Sequence, residues 1–252
     1  SLDAIEEINV QVAPFDVRAS GFAGGGISAV TRSGTNALKG SAYYFMRNEN
    51  LTGMTPPDLV RDKEVRKKLE SYTERQMGFR IGGPIMKDRI FFFANYERTE
   101  NVTPLGFLPG TSASNVSLDA VKKVAEIIKG MGYEPGGYLD LESNNYSDKI
   151  FTRFDFNLSD QHKLTARYSY VKGSAFQIWR NASTANFQNA GINRKSDTHS
   201  AVVELNSRFS NTLSNNLVVG YTNVREPRGY LGEAFPRVAI SSRNLNINLG
   251  PE

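Results

Sequence analysis

Residue types that could carry out catalysis or bind a metal are scarce in this sequence. The chain has no cysteine and two histidines, His162 and His199, so a cysteine-based zinc site, a thiol nucleophile and a disulfide framework are all impossible. His162 falls in a predicted turn and His199 at the start of a predicted strand. At both positions contact with solvent is a simpler explanation than binding of a metal. No pair of carboxylates has a spacing that distinguishes it for acid–base work. We therefore expect no catalytic residues, no metal site and no enzymatic activity.

Three consecutive glycines, Gly24, Gly25 and Gly26, precede an apolar stretch and suggest a phosphate-binding loop at first sight. Such a loop requires a Lys followed by Ser or Thr and opens a helix, and neither feature follows these glycines. The better interpretation is a tight backbone passage in which side chains would clash. We expect no cofactor.

Composition narrows the class of protein further. The 252 residues suffice for one large domain or two small ones. Thirty Lys and Arg against 26 Asp and Glu leave a net charge of +4, spread along the chain as ordinary solvation, which argues against a nucleic-acid partner. No run approaches the roughly 18 apolar residues of a spanning helix, and the mean hydropathy is −0.41, so a helical membrane protein is excluded. The acidic first residues lack the apolar core of a signal peptide, which predicts a cytoplasmic protein or a mature or trimmed piece of a longer one.

Most of the chain alternates apolar and polar residues with period two, which predicts β-strands. About seven segments of roughly nine to eleven residues show this pattern: 39–47, 75–85, 89–98, 150–158, 163–171, 199–209 and 216–224. Six of them pair into three hairpins with short polar turns. Their length suits tilted strands that cross a bilayer, whereas strands of soluble sheets more often stop near five or six residues.

Connections between the predicted strands alternate in length. Turns within hairpins have a few residues, whereas the links 48–74, 99–149 and 172–198 run to dozens, beyond what compact soluble folds usually tolerate. Short turns at one end and long loops at the other are typical of outer-membrane barrels.

Two of the long links contain predicted helices. Residues 117–129 have an apolar face behind a Ser117 N-cap and end at Gly130 or Gly132, which predicts a short amphipathic helix. The charge-rich segment 58–74 favours a second, more solvated helix.

Charged side chains share one face of the predicted strands. That face either lines a polar interior or faces water on a one-sided sheet, because alternation alone cannot separate the two. The opposite faces carry Phe, Tyr, Leu and Ile with almost no charge, which favours a lipid-facing outer surface and a polar lumen. The predicted lumen-facing charges are Arg80, Glu97, Arg153, Asp155, Arg167, Glu204 and Arg208.

Two ordered blocks of sequence resemble a known family. The stretch IEEINVQVAPFDVRASGFAGGGISAVTRSGTNALKGSAYYFMRN resembles the end of the plug domain and the first barrel strand of TonB-dependent outer-membrane receptors. The block GFRIGGPIMKDRIFFFANYER at 78–98 is similar to a hairpin of the Oar-like branch, whose members contain a carboxypeptidase regulatory domain. The resemblance extends more weakly through about residue 224.

The resemblance implies an all-β fold: a partial transmembrane antiparallel β-barrel of about seven strands, with the C-terminal end of a plug domain and a short loop helix. Residues 1–36 would be the end of the plug, and 37–252 the N-terminal part of an outer-membrane barrel with long outward loops. Receptors of this family have a barrel of twenty-two strands occluded by the plug and opened when inner-membrane TonB pulls on an N-terminal box. The chain would therefore be a fragment that begins within the plug, in the outer membrane of a Gram-negative bacterium. Its implied partners are the remainder of the same barrel and plug, the TonB complex through the missing N-terminal region, and the lipid bilayer.

The resemblance also implies roles for particular residues. The plug passage and its contact with the barrel would involve Arg18, Gly24, Gly25, Gly26, Thr31, Arg32, Ser33, Gly34 and Asn36. Because charges inside a barrel are usually paired, we expect Arg18 and Arg32 to meet barrel carboxylates such as Glu97 or Glu204. The long loops would form the ligand-contacting surface, with Phe176 and Trp179 as candidates, although loop packing is the plainer explanation for these two aromatics.

The function implied is energy-coupled uptake of an unidentified ligand through a passive scaffold and gate. The alternative is a secreted or surface β-rich adhesion or carbohydrate-binding module. A requirement for detergent separates the two, because only the first exposes a lipid-facing apolar band.

Overall fold

The computed structural model describes residues 1–12, 25–55, 68, 70–139, 141–232, 236–243 and 245–251. Antiparallel β-sheet dominates these residues, and two α-helices accompany it, α1 (Glu49–Thr52) and α2 (Leu118–Gly130). Within the described residues, neither helix has the length and apolar character needed to cross a membrane.

A two-stranded antiparallel sheet forms first in the chain. Strand β1 (Ile5–Val12) pairs with β2 (Gly25–Thr31), from Ile5 opposite Thr31 to Val12 opposite Gly25. We call this pair, together with the 3₁₀ turn Leu2–Ala4 that leads into β1, the plug hairpin, after the domain that the family resemblance implies for residues 1–36. It forms a sheet of its own, separate from the strands that follow.

The largest sheet has eight strands, seven of which follow one path in nearly sequential order. Each strand pairs with its neighbours antiparallel, and short turns alternate with long loops. The seven strands are β3 (Lys39–Asn48), β4 (Thr73–Met86), β5 (Ile90–Pro104), β6 (Glu142–Asn157), β7 (His162–Gln177), β9 (Ile192–Arg208) and β10 (Ser214–Arg225). The eighth strand, β11 (Arg228–Tyr230), pairs with the start of β9.

The predicted all-β fold and its seven strands are confirmed, but most strands are longer than predicted. For example, β6 begins at Glu142 rather than at residue 150, and β9 begins at Ile192 rather than at residue 199. Most of the extra residues lie at the end that carries the long loops. The third long loop therefore shrinks from 172–198 to 178–191, within which β8 (Thr184–Asn186) forms.

A compact unit forms beyond the loop-bearing end of the sheet. Strands β12 (Val238–Ser242) and β13 (Leu245–Leu249) pair antiparallel, and β13 pairs parallel with β8. Together with α2 these strands enclose a hydrophobic core, which we call the loop core. Its buried members are Val116, Val121, Ala125, Ile128, Tyr133, Ala185, Phe187, Ile247 and Leu249.

The amphipathic helix predicted over 117–129 is confirmed as α2. Ser117 takes the N-cap position, and the predicted apolar face supplies the buried residues Val121, Ala125 and Ile128. The second helix predicted, over 58–74, lies largely outside the described residues. Its last two residues belong instead to β4, which begins at Thr73.

Candidate functional site

The seven-stranded sheet has an outward face that is apolar over about half of each strand. Residues two apart on a strand share a face, and the registers align them into rows across neighbouring strands. Two adjacent rows, starting at the short turns, contain only apolar side chains: Ile90, Phe156, Leu164, Leu205 and Leu217 in the first, then Phe92, Phe154, Ala166, Val203 and Val219 in the second. Several of these side chains are solvent-exposed, Leu217 by 53% and Val203 by 44%. An exposed apolar face of this extent requires a cover.

Tyrosines and then charges follow on the same outward face toward the loops. The third and fourth rows include Tyr96, Tyr168, Tyr170 and Tyr221, and the fifth row consists of Arg98, Asp148, Lys172, Asp197 and Arg225. We call this fifth row the charge row. From Ile90 to Arg98 the strand rises about 26 Å, or roughly 20 Å along the barrel axis at a tilt near 40°. This distance, from the first apolar row to the charge row, is somewhat shorter than the apolar band of about 25 Å typical of outer-membrane barrels, and the tyrosines lie near its upper edge as aromatic girdles do.

The opposite, inner face carries the predicted lumen charges, and one of them is almost completely buried. Glu97 is 3% exposed. Its Oε1 pairs with Nζ of Lys149 at 2.8 Å, and its Oε2 accepts hydrogen bonds from the Tyr43 hydroxyl at 2.8 Å and from Nε2 of Gln76 at 3.2 Å. Residues of β3, β4, β5 and β6 thus meet at one carboxylate, which fixes their inner faces relative to one another.

Further pairs continue this network along the inner face. The guanidinium of Arg153 bonds the Asp155 carboxylate at 2.8 Å, and Thr165 donates to the same carboxylate at 2.9 Å. Arg167 pairs with Glu204 at 3.2 Å. Arg208 shares the inner face of β9 with Glu204 but lies exposed at the short-turn end.

Two barrel arginines hold the plug hairpin against this inner face. Nη1 of Arg153 donates to the backbone oxygen of Thr31 at 2.6 Å and to its Oγ1 at 3.0 Å. Nη1 of Arg80 lies 3.6 Å from Oδ1 of Asp3 and donates to the Asp3 carbonyl at 3.4 Å. The cations are therefore on the barrel, and their partners are on the plug side.

This distribution of charge is the reverse of the expected one, in which arginines of the plug meet carboxylates of the barrel. Among the described residues, Arg32 makes no ion pair with Glu97 or Glu204, because Lys149 and Arg167 on neighbouring strands already neutralise those carboxylates. Arg18, the other arginine of this expectation, lies outside the described residues.

A backbone approach closer than any at the described glycines Gly25 and Gly26 occurs at Gly34. A Cβ there would lie 2.7 Å from the carbonyl oxygen of Gly83 and closer still to that of Phe92. Gly25 and Gly26 belong to β2, where a Cβ on Gly25 would lie 3.1 Å from the carbonyl oxygen of Gln11 and a Cβ on Gly26 would meet nothing within 4 Å. Gly24 lies outside the described residues.

Two other residues of the predicted passage lie near Gly34. Ser33 lines a cavity of about 600 Å³ beside the barrel wall. Asn36 binds the turn between β4 and β5, where its Oδ1 accepts from the Asp88 backbone at 2.9 Å.

A larger cavity of about 840 Å³ opens on the inner face at the loop-bearing ends of the strands. We call it the outer vestibule. Its lining combines polar and charged side chains with apolar ones such as Phe45 and Met46. Its lining includes Arg47, Glu74, Asn101, Asn145, Arg194 and Arg228. A concave wall with this mixture of groups can bind a solute by apolar contact, hydrogen bonds and ion pairs.

The two aromatic residues predicted for the third loop differ in their surroundings. Trp179 is 80% exposed. Phe176 belongs to the end of β7 rather than to the loop, and its half-buried ring lies over Gly191. Beside them, Arg180 donates to the backbone oxygens of Tyr138 at 2.8 Å and Asn186, and burial lowers the pKa of its guanidinium.

Comparison with known proteins agrees with this geometry. Residues 30–114, which include β3, β4 and β5, match the family described as outer membrane beta barrel domain. The fold is that of part of an outer-membrane β-barrel. The chain is also 25% identical over 155 residues to the TonB-dependent transporter Oar of Myxococcus xanthus. That alignment covers 60% of the chain and 14% of the relative, so the chain spans a small part of that protein's length. No solved structure matches the barrel segment.

These similarities confirm the resemblance to Oar-like outer-membrane receptors. They also confirm the expected location, the outer membrane of a Gram-negative bacterium. The apolar rows of the outward face therefore contact lipid. By the usual orientation of such barrels, the short turns face the periplasm and the long loops face outward.

Proposed function

We propose that this chain is the part of a TonB-dependent receptor at which the plug joins the barrel, and that it serves energy-coupled uptake of a ligand. Residues 1–36 are the end of the plug, and 37–252 are the first part of the barrel. The segment acts as scaffold and gate and not as an enzyme. The observation that carries the proposal is the plug hairpin on the inner face, bound there by Arg80 and Arg153.

The contacts of the plug hairpin differ in kind from those within the barrel. Long backbone ladders join the barrel strands, whereas among the described residues Arg80 and Arg153 bind the plug hairpin to the barrel through polar side-chain contacts. Polar contacts beside a lumen can exchange with water at small net cost. A pulling force can therefore release the hairpin without unfolding the barrel wall.

The plug hairpin also exposes apolar side chains that fit a further partner. Val10 is 68% exposed, Val12 83% and Ile27 78%. Apolar residues in this number on a short hairpin favour burial against another surface. The rest of the plug is the partner that we propose for them, and the upstream part of the plug would connect to the TonB complex. The remainder of the barrel would complete the lumen.

The alternative, a secreted or surface adhesion or carbohydrate-binding module, predicts an outward face that water can solvate. The two wholly apolar rows of the outward face contradict that prediction. Extraction of the full-length protein from outer-membrane fractions separates the two functions. We expect it to resist salt and alkali and to need detergent, whereas release without detergent would support the alternative.

Gating can be tested without knowing the ligand. The experiment introduces Ser33→Cys into the full-length receptor, with any other cysteines replaced, and labels whole cells with a membrane-impermeant maleimide. We expect labelling to rise when TonB and the proton-motive force are present, and to fall with an uncoupler or without TonB. Ser147→Cys, which lines the outer vestibule, is the control and should label equally in all conditions. If labelling of Ser33→Cys is the same with and without TonB, energy-coupled movement of the plug is refuted.

A further inference from the structure

The charge row on the outward face is only partly neutralised. Its first two members form a close pair, with Nη1 of Arg98 3.1 Å from Oδ2 of Asp148. At the other end, Asp197 accepts a hydrogen bond from the Tyr170 hydroxyl at 3.0 Å, a neutral partner. Its neighbours in register are the exposed cations Lys172 and Arg225.

A third cation extends this group toward the loops. Lys195 is two residues from Asp197 on β9, so it shares the outward face, and it is exposed. Within the described part of the chain, none of Lys172, Lys195 and Arg225 takes part in an ion pair. We call these three residues the cation cluster. With Asp197 included, three positive charges and one negative charge leave an excess of positive charge on β7, β9 and β10.

We propose that the cation cluster binds the phosphorylated headgroup of a glycolipid in the outer leaflet. The cluster lies on the lipid-facing side of the barrel, one or two rows beyond Tyr168, Tyr170 and Tyr221, which mark the edge of the hydrocarbon layer. Charged groups of lipid occupy this level. Lys172 and Arg225 therefore face headgroups rather than the lumen, and Lys195 lies at the rim, where it also borders the outer vestibule.

The geometry suits a phosphate better than a carboxylate-rich protein surface. Strands β7, β9 and β10 are neighbours about 4.8 Å apart, so Lys172 and Arg225 flank β9 on both sides within roughly 10 Å of each other. Long flexible side chains at this spacing can converge on one phosphate group, or on two groups of one headgroup. The acyl chains of the same lipid would then lie on the apolar rows of the outward face, which continue below the cluster.

The test uses the full-length receptor in detergent, incubated with diphosphoryl lipid A and examined by native mass spectrometry. EDTA is present so that divalent cations do not bridge phosphate to Asp197. The variant is K172Q/K195Q/R225Q, and we expect its retained lipid A to fall roughly tenfold, since each cation near an anionic lipid surface contributes to binding. The control is R47Q/R194Q/R228Q, which removes the same charge from the outer vestibule at similar height and should retain lipid A within about twofold of the unmodified receptor.

Three further measurements make the outcome decisive. The conservative variant K172R/K195R should bind lipid A like the unmodified receptor, and a heat-modifiable shift in gel mobility verifies that each barrel is folded. Dephosphorylated lipid A should bind more weakly, by roughly the same factor as the glutamine variant. Equal binding of phosphorylated and dephosphorylated lipid would overturn the proposal, as would an equal loss in the vestibule control. Displacement of lipid A by millimolar inorganic phosphate would also overturn it, because the occupant would then be a free anion.

Discussion

The buried carboxylate of Glu97 predicts an unequal response to removal of its two charges. Lys149→Met leaves Glu97 charged, 3% exposed and without its cation. Removing one partner of a buried ion pair usually costs about 3–5 kcal/mol. Two features reduce that cost here: Tyr43 and Gln76 still donate to the carboxylate, and the Lys149 side chain is 33% exposed, so water already screens the pair. We therefore expect a loss of about 2–3 kcal/mol in the free energy of unfolding.

The reverse change, Glu97→Gln, should be milder. Glutamine keeps the shape of the side chain and can still accept from Tyr43, while Lys149 can turn toward the water of the lumen. The loss should be near 1 kcal/mol, the net value of one hydrogen bond. The double variant Glu97→Gln with Lys149→Met should resemble the Glu97→Gln variant, because it leaves no unpaired charge.

The assay is urea unfolding of the full-length receptor in detergent micelles, scored by heat-modifiable gel mobility and by tryptophan fluorescence. Arg47→Met is the control, because its pair with Glu74 has side chains that are 62% and 42% exposed, and such a pair should contribute little. Additive losses in the double variant, or a larger loss for Glu97→Gln than for Lys149→Met, would refute the reasoning that burial of one uncompensated carboxylate sets the cost.

Three further changes test other parts of the structure. Phe187→Ala should cost the loop core about 3–5 kcal/mol, seen as faster proteolysis of the outer loops with unchanged barrel mobility; a resistant variant would show that the ring is not part of a cooperative core. Gly34→Val should push the plug from the barrel wall and raise the KCl conductance of the full-length receptor in planar bilayers. Gly26 has open space around it, so the Gly26→Val variant should leave the receptor closed. Equal conductance of the two variants would contradict the close approach at Gly34. Val203→Lys, on the lipid face, should lower stability in lipid vesicles by about 2–4 kcal/mol, and Val202→Lys on the inner face of the same strand by less than about 1 kcal/mol; a reversed order would mean that the two faces are misassigned.

The number and order of the barrel strands could be predicted from the sequence, but their outer ends could not. Alternation of apolar and polar residues is visible only where one face contacts lipid. On β5 the outward positions become Arg98 and Glu100, and on β6 they become Asp148 and Tyr146. The backbone ladder nevertheless continues to Pro104 opposite Glu142. Hydrogen bonding thus extends the strands past the membrane, where the hydrophobic pattern that reveals a strand has ended.

The loop core shows a second limit of prediction. Its parallel pair joins β8 to β13, which are about 60 residues apart and only three and five residues long. Segments this short have no period that identifies them, so the pairing becomes visible only in three dimensions. The contact of Arg153 with Thr31 belongs to the same class, because nothing local in either segment indicates which partner carries the charge.

Different interactions stabilise the loop core, the barrel wall and the plug hairpin. The loop core buries a cluster of apolar side chains against one another, with Phe187 and Leu249 fully enclosed. The barrel wall instead directs its apolar rows to lipid and holds its inner face by charge pairs such as Glu97 with Lys149. Within the described residues, the plug hairpin is held by fewer contacts, an ion pair of Arg80 with Asp3 and hydrogen bonds of Arg153 to Thr31 beside the lumen. A force on the plug should therefore meet its weakest resistance at these two arginines, so that the hairpin leaves the wall before a barrel strand or the loop core yields.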